Sequence, residues 1–134
     1  MTALTEGIHH LGLTVPDVEQ TATFFTGTLG FTELRRRPDY PAIFISDGSI
    51  MLTLWQAQDN APTIPFDRRH NVGLHHFALK VASLDRLQEI HALLKQHTDA
   101  NIEFAPELLR EGPAQHMMCV IPGGIRLEFI WPGQ

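Results

Sequence analysis

Apolar and polar residues alternate along residues 7–15. Leu11, Leu13 and Val15 fall on one side and His10, Gly12 and Thr14 on the other, the period-two signature of a strand with one buried face. The period then lengthens. Pro16 and Asp17 open an apolar spacing through Phe24, Phe25 and Leu29 that predicts a helix, with Asp17 as N-cap and Gly30 just past its end. Strand-like runs follow at 31–37, 42–46 and 50–56, the last two separated by a turn at Asp47-Gly48-Ser49.

The same succession returns 66 residues further on. Gly73-Leu74-His75-His76-Phe77-Ala78-Leu79-Lys80-Val81 mirrors Gly7-Ile8-His9-His10-Leu11-Gly12-Leu13-Thr14-Val15 position by position. Ser83 then caps a helix through Leu84, Leu87, Ile90, Leu93 and Leu94. Strands are predicted at 101–104, 115–121 and 125–131, with a turn at Pro122-Gly123-Gly124. Each half therefore reads strand, helix and three strands, an internal repeat. We expect one domain over residues 1–134, made of a module at 7–56, a Pro-, Asp- and Asn-rich linker at 57–72 and a module at 73–131. The predicted fold is α+β, with eight strands in cupped mixed sheets and the helices outside. Neither module can cover both faces of its sheet, so the two should pack as one domain or across a dimer.

Composition narrows the function classes. The 134-residue chain is 43% hydrophobic and 19% charged, the balance of a globular protein. No apolar run approaches the ~18 residues of a membrane helix, and the N-terminus carries no basic start followed by an apolar core. The single cysteine, Cys119, cannot form an intrachain disulfide, so the cytoplasm is the expected compartment and no membrane partner is expected. A net charge of −5 argues against nucleic acid, whose phosphates need basic partners.

Eight histidines are many for this length, and parity sorts the important ones. His10 and His76 fall on the face opposite the apolar set of their strands, which selects them over His9 and His75. In the last strand Leu127 and Phe129 flank Glu128 and leave it facing the same way as Arg126 and Ile130. A carboxylate there is costly unless paired or metal-bound. One such histidine is ordinarily an exposed strand residue. Two at matched positions, with an inward Glu128, form a 2-His-1-carboxylate set able to hold a divalent ion and leave positions for water or substrate. Zn, Fe, Ni, Mn and Co all accept these ligands.

These residues resemble the vicinal oxygen chelate superfamily, which includes glyoxalase I, fosfomycin-resistance transferases, extradiol dioxygenases and metal-free bleomycin-binding proteins. The resemblance runs over about residues 7–131. It rests on His10-Leu-Gly-Leu-Thr-Val15-Pro-Asp, the Phe24-Phe25 to Leu29-Gly30-Phe31 helix exit, His76-Phe-Ala-Leu-Lys-Val81 and Pro122-Gly-Gly-Ile-Arg-Leu-Glu128. It implies one divalent metal held by His10, His76 and Glu128, chelated by adjacent oxygens of a small-molecule substrate. In many short members the site forms between subunits, which implies a homodimer. The branches differ at other positions. Glyoxalase I usually adds a glutamate where this chain has Thr53, and extradiol dioxygenases and fosfomycin transferases carry a tyrosine where it has Met118.

Further candidates follow from the same faces. His116 is the best available general acid or base, given an unperturbed pKa of ~6.5; a surface role at a strand start is the plainer alternative. Thr53, Trp55, Met51 and Met118 are candidate substrate-pocket residues, and Lys80 is a candidate partner for a substrate carboxylate. Arg35-Arg36-Arg37 and Arg68-Arg69-His70 read as exposed segments, His91 and His97 as surface residues of the second helix, and Cys119 as core. The expected function is a metal-dependent glyoxalase-like lyase or isomerase acting on a small oxygenated substrate. The alternatives are a non-haem Fe(II) dioxygenase of extradiol type and a non-catalytic protein that sequesters a small molecule such as an antibiotic.

Overall fold

A computed structural model describes residues 1–133. The chain divides into two compact units, Met1–Thr63 and the remainder from Ile64. Each unit contains one four-stranded mixed sheet, and among the described residues the strands number eight.

In the first unit β1 (His10–Val15) leads into α1 (Val18–Thr23), followed by β2 (Thr32–Arg37), β3 (Ala42–Ser46) and β4 (Met51–Gln56). The sheet order is β1-β4-β3-β2, with β1 parallel to β4 and the other pairs antiparallel. Asp17 caps α1 by accepting a hydrogen bond from the Gln20 N–H. The helix does not run unbroken to Gly30: Phe24–Thr28 winds as a π-helical turn, which buries the adjacent Phe24 and Phe25 together. Gly30 takes φ +78°, where a side chain would be strained. Under the helix lie Leu13, Val15, Ile43, Ile45, Leu52 and Leu54, all buried.

The second unit repeats the plan. β5 (Phe77–Lys80) is followed by α2 (Leu84–Lys95), β6 (Asn101–Leu108), β7 (Gln115–Val120) and β8 (Arg126–Trp131), with sheet order β5-β8-β7-β6. Ser83 caps α2, which buries Leu87, Ile90 and Leu94. Leu79, Met117, Cys119, Leu127 and Phe129 complete that core.

Two sequence expectations shift. β6 continues to Leu108 rather than stopping at Phe104, as an edge strand whose register shifts at Glu103 and again across Ala105-Pro106. Proline lacks the N–H a central strand needs but is tolerated at an edge. His97 lies beyond the helix, which ends at Lys95 with Gln96 as its cap.

Candidate functional site

The second unit contains the denser polar cluster. Glu128 sits on β8, the strand flanked by β5 and β7, with Ala78 and Met118 as its lateral neighbours. It is only 8% exposed, while the apolar residues on either side of it along the strand pack beneath α2. The carboxylate bridges two imidazoles. Its Oε1 lies 3.1 Å from His76 Nε2, and its Oε2 lies 2.6 Å from His116 Nδ1. His116 is itself 13% exposed, and the Phe104 ring stands edge-on to it at 4.9 Å. Three side chains from β8, β7 and the segment leading into β5 thus converge through one carboxylate.

A second layer surrounds this group. Arg126, two residues before Glu128, is buried and donates from Nε and Nη2 to the two oxygens of Glu103 at 2.8 and 2.6 Å. Its remaining nitrogen, Nη1, lies 3.4 Å from His75 Nδ1, and His75 Nδ1 lies 2.7 Å from His76 Nδ1. Arg68 approaches Glu103 at 3.6 Å, so this part of the linker is not wholly solvated. The hydrogen bond from Arg126 holds the Glu103 carboxyl below the usual carboxylate range. Lost hydration, then the positive charge of Arg126, hold the His75 pKa below its ordinary value, so this ring is neutral at pH 7.

Sequence parity did not find His75 or Glu103. Strict alternation applies only inside a strand, and His75 precedes β5, where the backbone turns its ring toward Arg126. Glu103 was hidden because β6 is bulged beside it. A signal was present in Arg126 itself, which shares the face of Glu128 and, when buried, needs a carboxylate partner.

In the first unit His10 is exposed at the start of β1, with its Nδ1 2.9 Å from His9 Nδ1. Thr53 occupies the position on β4 that Glu128 occupies on β8, paired laterally with Gly12 and Phe44. It is buried, and its hydroxyl accepts the Trp55 indole N–H at 2.9 Å. A Cβ at Gly12 would lie 3.1 Å from that hydroxyl, so the glycine leaves the room Thr53 occupies. Met51 is half-buried beside it on the strand, and Tyr40 stacks edge-on to Trp55 at 5.0 Å. A cavity of about 540 Å³ opens nearby, lined by residues 39–41 and 56–60 and by none of the sequence-predicted site residues. In the second unit Met118 is buried beside Glu128, whereas Lys80 is exposed. Cys119 is fully buried, and burial pushes its thiol up to about 12.

The donor chemistry can be tested against a metal. Among the described residues no group of three or more His, Cys, Asp or Glu side chains is arranged to hold an ion. Two donors do have suitable spacing. Nitrogen and oxygen ligands sit about 2.0–2.2 Å from such an ion, which separates neighbouring donors by roughly 3 Å. The 3.1 Å between His76 Nε2 and Glu128 Oε1 matches that separation.

Two mixed sheets, each carrying a strand-helix-three-strand repeat, define the glyoxalase-type α+β fold. A model of the Glyoxalase/Bleomycin resistance protein/Dioxygenase superfamily matches residues 7–129, and the chain belongs to that superfamily. The chain is 32% identical over 94 residues to the uncharacterized protein YwkD of Bacillus subtilis (strain 168), covering 66% of this chain and 72% of that protein. The glyoxylase/bleomycin resistance protein/dioxygenase domain from Frankia sp. EAN1pec superposes with a TM-score of 0.83 at 24% identity, covering 97% of this chain and 94% of that one. Lactoylglutathione lyase from Agrobacterium tumefaciens superposes at 0.71 and 19% identity, covering 96% of each chain. These likenesses establish the shared fold. Among the described residues no helix is long and apolar enough to cross a membrane.

Proposed function

We propose that the protein is a metal-dependent lyase or isomerase of the glyoxalase type, acting on a small substrate with adjacent oxygens. The observation that carries this reading is the buried Glu128 carboxylate set between His76 at 3.1 Å and His116 at 2.6 Å. In this superfamily a divalent metal is often used. His76 and Glu128 would hold it here, with His10 as the third ligand. When bound, a divalent metal supplies Lewis acidity toward a substrate carbonyl or hydroxyl oxygen.

The chain's own residues supply the proton chemistry. An ionised carboxylate accepts and never donates, so the close contact with Glu128 requires the proton of His116 to sit on Nδ1. Nε2 of the neutral ring then carries a lone pair and is the basic atom. Glu128 orients the ring and stabilises the imidazolium formed when Nε2 takes a proton from substrate. The Phe104 ring shields one side of His116 from water. Met118, Met51, Trp55 and Thr53 are the residues proposed to contact substrate, with Lys80 available for a carboxylate at the rim. A second copy of the chain is the proposed protein partner, giving a homodimer.

The test is anaerobic reconstitution of metal-stripped protein with Zn, Ni, Mn, Co or Fe(II), followed by isomerase and lyase screens on small hydroxy- and oxo-compounds. Activity restored without oxygen supports the reading. Oxygen uptake with catechols, restored by Fe(II) alone, would assign a dioxygenase instead. Tight ligand binding with no turnover and no metal requirement would assign a sequestering protein. Light scattering at twice the 15.1 kDa chain mass would agree with the homodimer, and the mass of a single chain would contradict it.

A further inference from the structure

The three consecutive arginines of β2 part company in the structure. Arg36 is opposite Ile43, on the helix side of the sheet, and its guanidinium donates to Glu19 of α1 and to Glu33 at 2.8 Å each. Arg37 Nη2 lies 3.8 Å from Asp39. Arg35 is opposite Phe44, whose lateral partner on β4 is Thr53, so it lies on the sheet face turned away from α1, the face of Thr53 and Trp55. Its Cζ stands 4.9 Å from the centre of the Phe44 ring. That attraction uses the charge of the guanidinium and leaves its N–H donors unspent. Among the described residues no carboxylate lies within ion-pairing distance of Arg35, in contrast to both of its neighbours.

We propose that Arg35 is the anion anchor of a subsite on this face, which takes an aromatic carboxylate. The rings continue inward from the arginine: Phe44 lies 5.7 Å from Trp55, and Tyr40 meets Trp55 edge-on at 5.0 Å. The indole N–H of Trp55 is committed to the Thr53 hydroxyl, so Trp55 offers a ligand ring surface and no donor. Tyr40 is half exposed and extends that surface toward solvent. A flat apolar ring suits such a wall, and the planar fork of one guanidinium suits a carboxylate better than a phosphate dianion, which needs further cations. β1 and β2 are the two edges of the sheet, three strand spacings or about 14 Å apart. The carboxylate taken by Arg35 is therefore a separate group, remote from substrate oxygens near His10 on β1. The inference deepens the reading above by naming a substrate class, and it rests on that reading for taking this face as the one substrate meets.

The experiment titrates metal-stripped protein with benzoate, benzamide, benzylamine and acetate, and follows the indole N–H signal of Trp55 by NMR. The chain has two tryptophans, and the signal that survives in Trp131→Phe is that of Trp55. Wild type, Arg35→Gln and Arg36→Gln are compared. Arg35 and Arg36 are both exposed, so the variants should fold, and melting temperatures will verify it. Benzoate should shift the signal with a roughly millimolar Kd, as expected of so small a ligand. Arg35→Gln should weaken it roughly tenfold, the worth of a charge-assisted hydrogen bond, while Arg36→Gln leaves it unchanged. Benzamide, which lacks the charge, and acetate, which lacks the ring, should each bind far more weakly than benzoate.

No shift with benzoate, or full benzoate affinity in folded Arg35→Gln, would overturn the inference. Acetate binding as well as benzoate would overturn the aromatic class, and tighter binding of benzylamine would assign the face to a cation, drawn by Asp39 and Asp59 of the neighbouring cavity. None of these titrations involves a metal or turnover, so their failure leaves the lyase or isomerase reading standing. Conversely, Arg35-dependent benzoate binding in a protein that no metal activates would overturn that reading and keep the carboxylate subsite.

Discussion

His116 Nδ1 lies 2.6 Å from Glu128 Oε2, across a β7–β8 pair in which His116 is opposite Ile130 and Met118 is opposite Glu128. The contact is therefore diagonal, one pleat along the same face, and it places both side chains where little water reaches them. An ionised carboxylate so placed favours the tautomer with the His116 proton on Nδ1, as the proposed acid–base role requires.

Replacing His116 by alanine should lower turnover about 10²- to 10⁴-fold, the usual worth of a positioned acid or base, with metal content per chain unchanged. Steady-state kinetics beside elemental analysis will check both halves. Full turnover would remove His116 from the chemistry, and loss of the metal would make it a ligand.

The Arg126–Glu103 pair should stabilise the fold in a pH-dependent way. Arg126→Met leaves Glu103 without its bidentate partner and should cost roughly 2 kcal/mol, less than a fully buried pair because Glu103 is partly hydrated. The folded-state pKa of Glu103 is lowered, so its contribution is present above the unfolded carboxylate value near 4.5 and is lost as pH falls through the lowered value. Urea midpoints of wild type and variant should differ at pH 7 and converge in acid. A gap that stays constant however far the pH is lowered would show that packing, not the ion pair, is responsible.

Thr53→Val should cost about 1 kcal/mol, because the Trp55 indole N–H loses its acceptor while side-chain volume is kept. A urea titration followed by tryptophan fluorescence will read it. No change in midpoint would mean that water replaces the hydroxyl without loss.

Cys119 should be inert. With its thiol fully buried and its pKa raised to about 12, it presents almost no thiolate at neutral pH. A chromogenic disulfide reagent should react only after denaturant is added; rapid labelling of native protein would contradict its placement in the core.

Much of this arrangement was legible in the chain. The repeat at an offset of 66 gave both units, and β3 was bounded to the residue, because alternation and Gly-containing turns are local signals. Alternation also put Glu128 and His116 on one face, where the structure brings them together. Three features were not local. The π-helical turn at Phe24–Thr28 answers to the packing of two adjacent phenylalanines. The extension of β6 past Pro106 depends on its edge position, which the sheet order decides. His75 was set aside by a parity rule that does not hold two residues before a strand begins, and its contact with Arg126 spans 51 positions.

The central claim, that His76 and Glu128 hold a divalent metal together with His10, is tested most directly by metal stoichiometry. Elemental mass spectrometry of anaerobically purified protein should find near one divalent ion per chain in the wild type, and far less in His10→Ala, His76→Ala and Glu128→Gln variants that still fold. Wild-type protein that takes up no metal after reconstitution, or folded variants that keep it in full, would contradict the account.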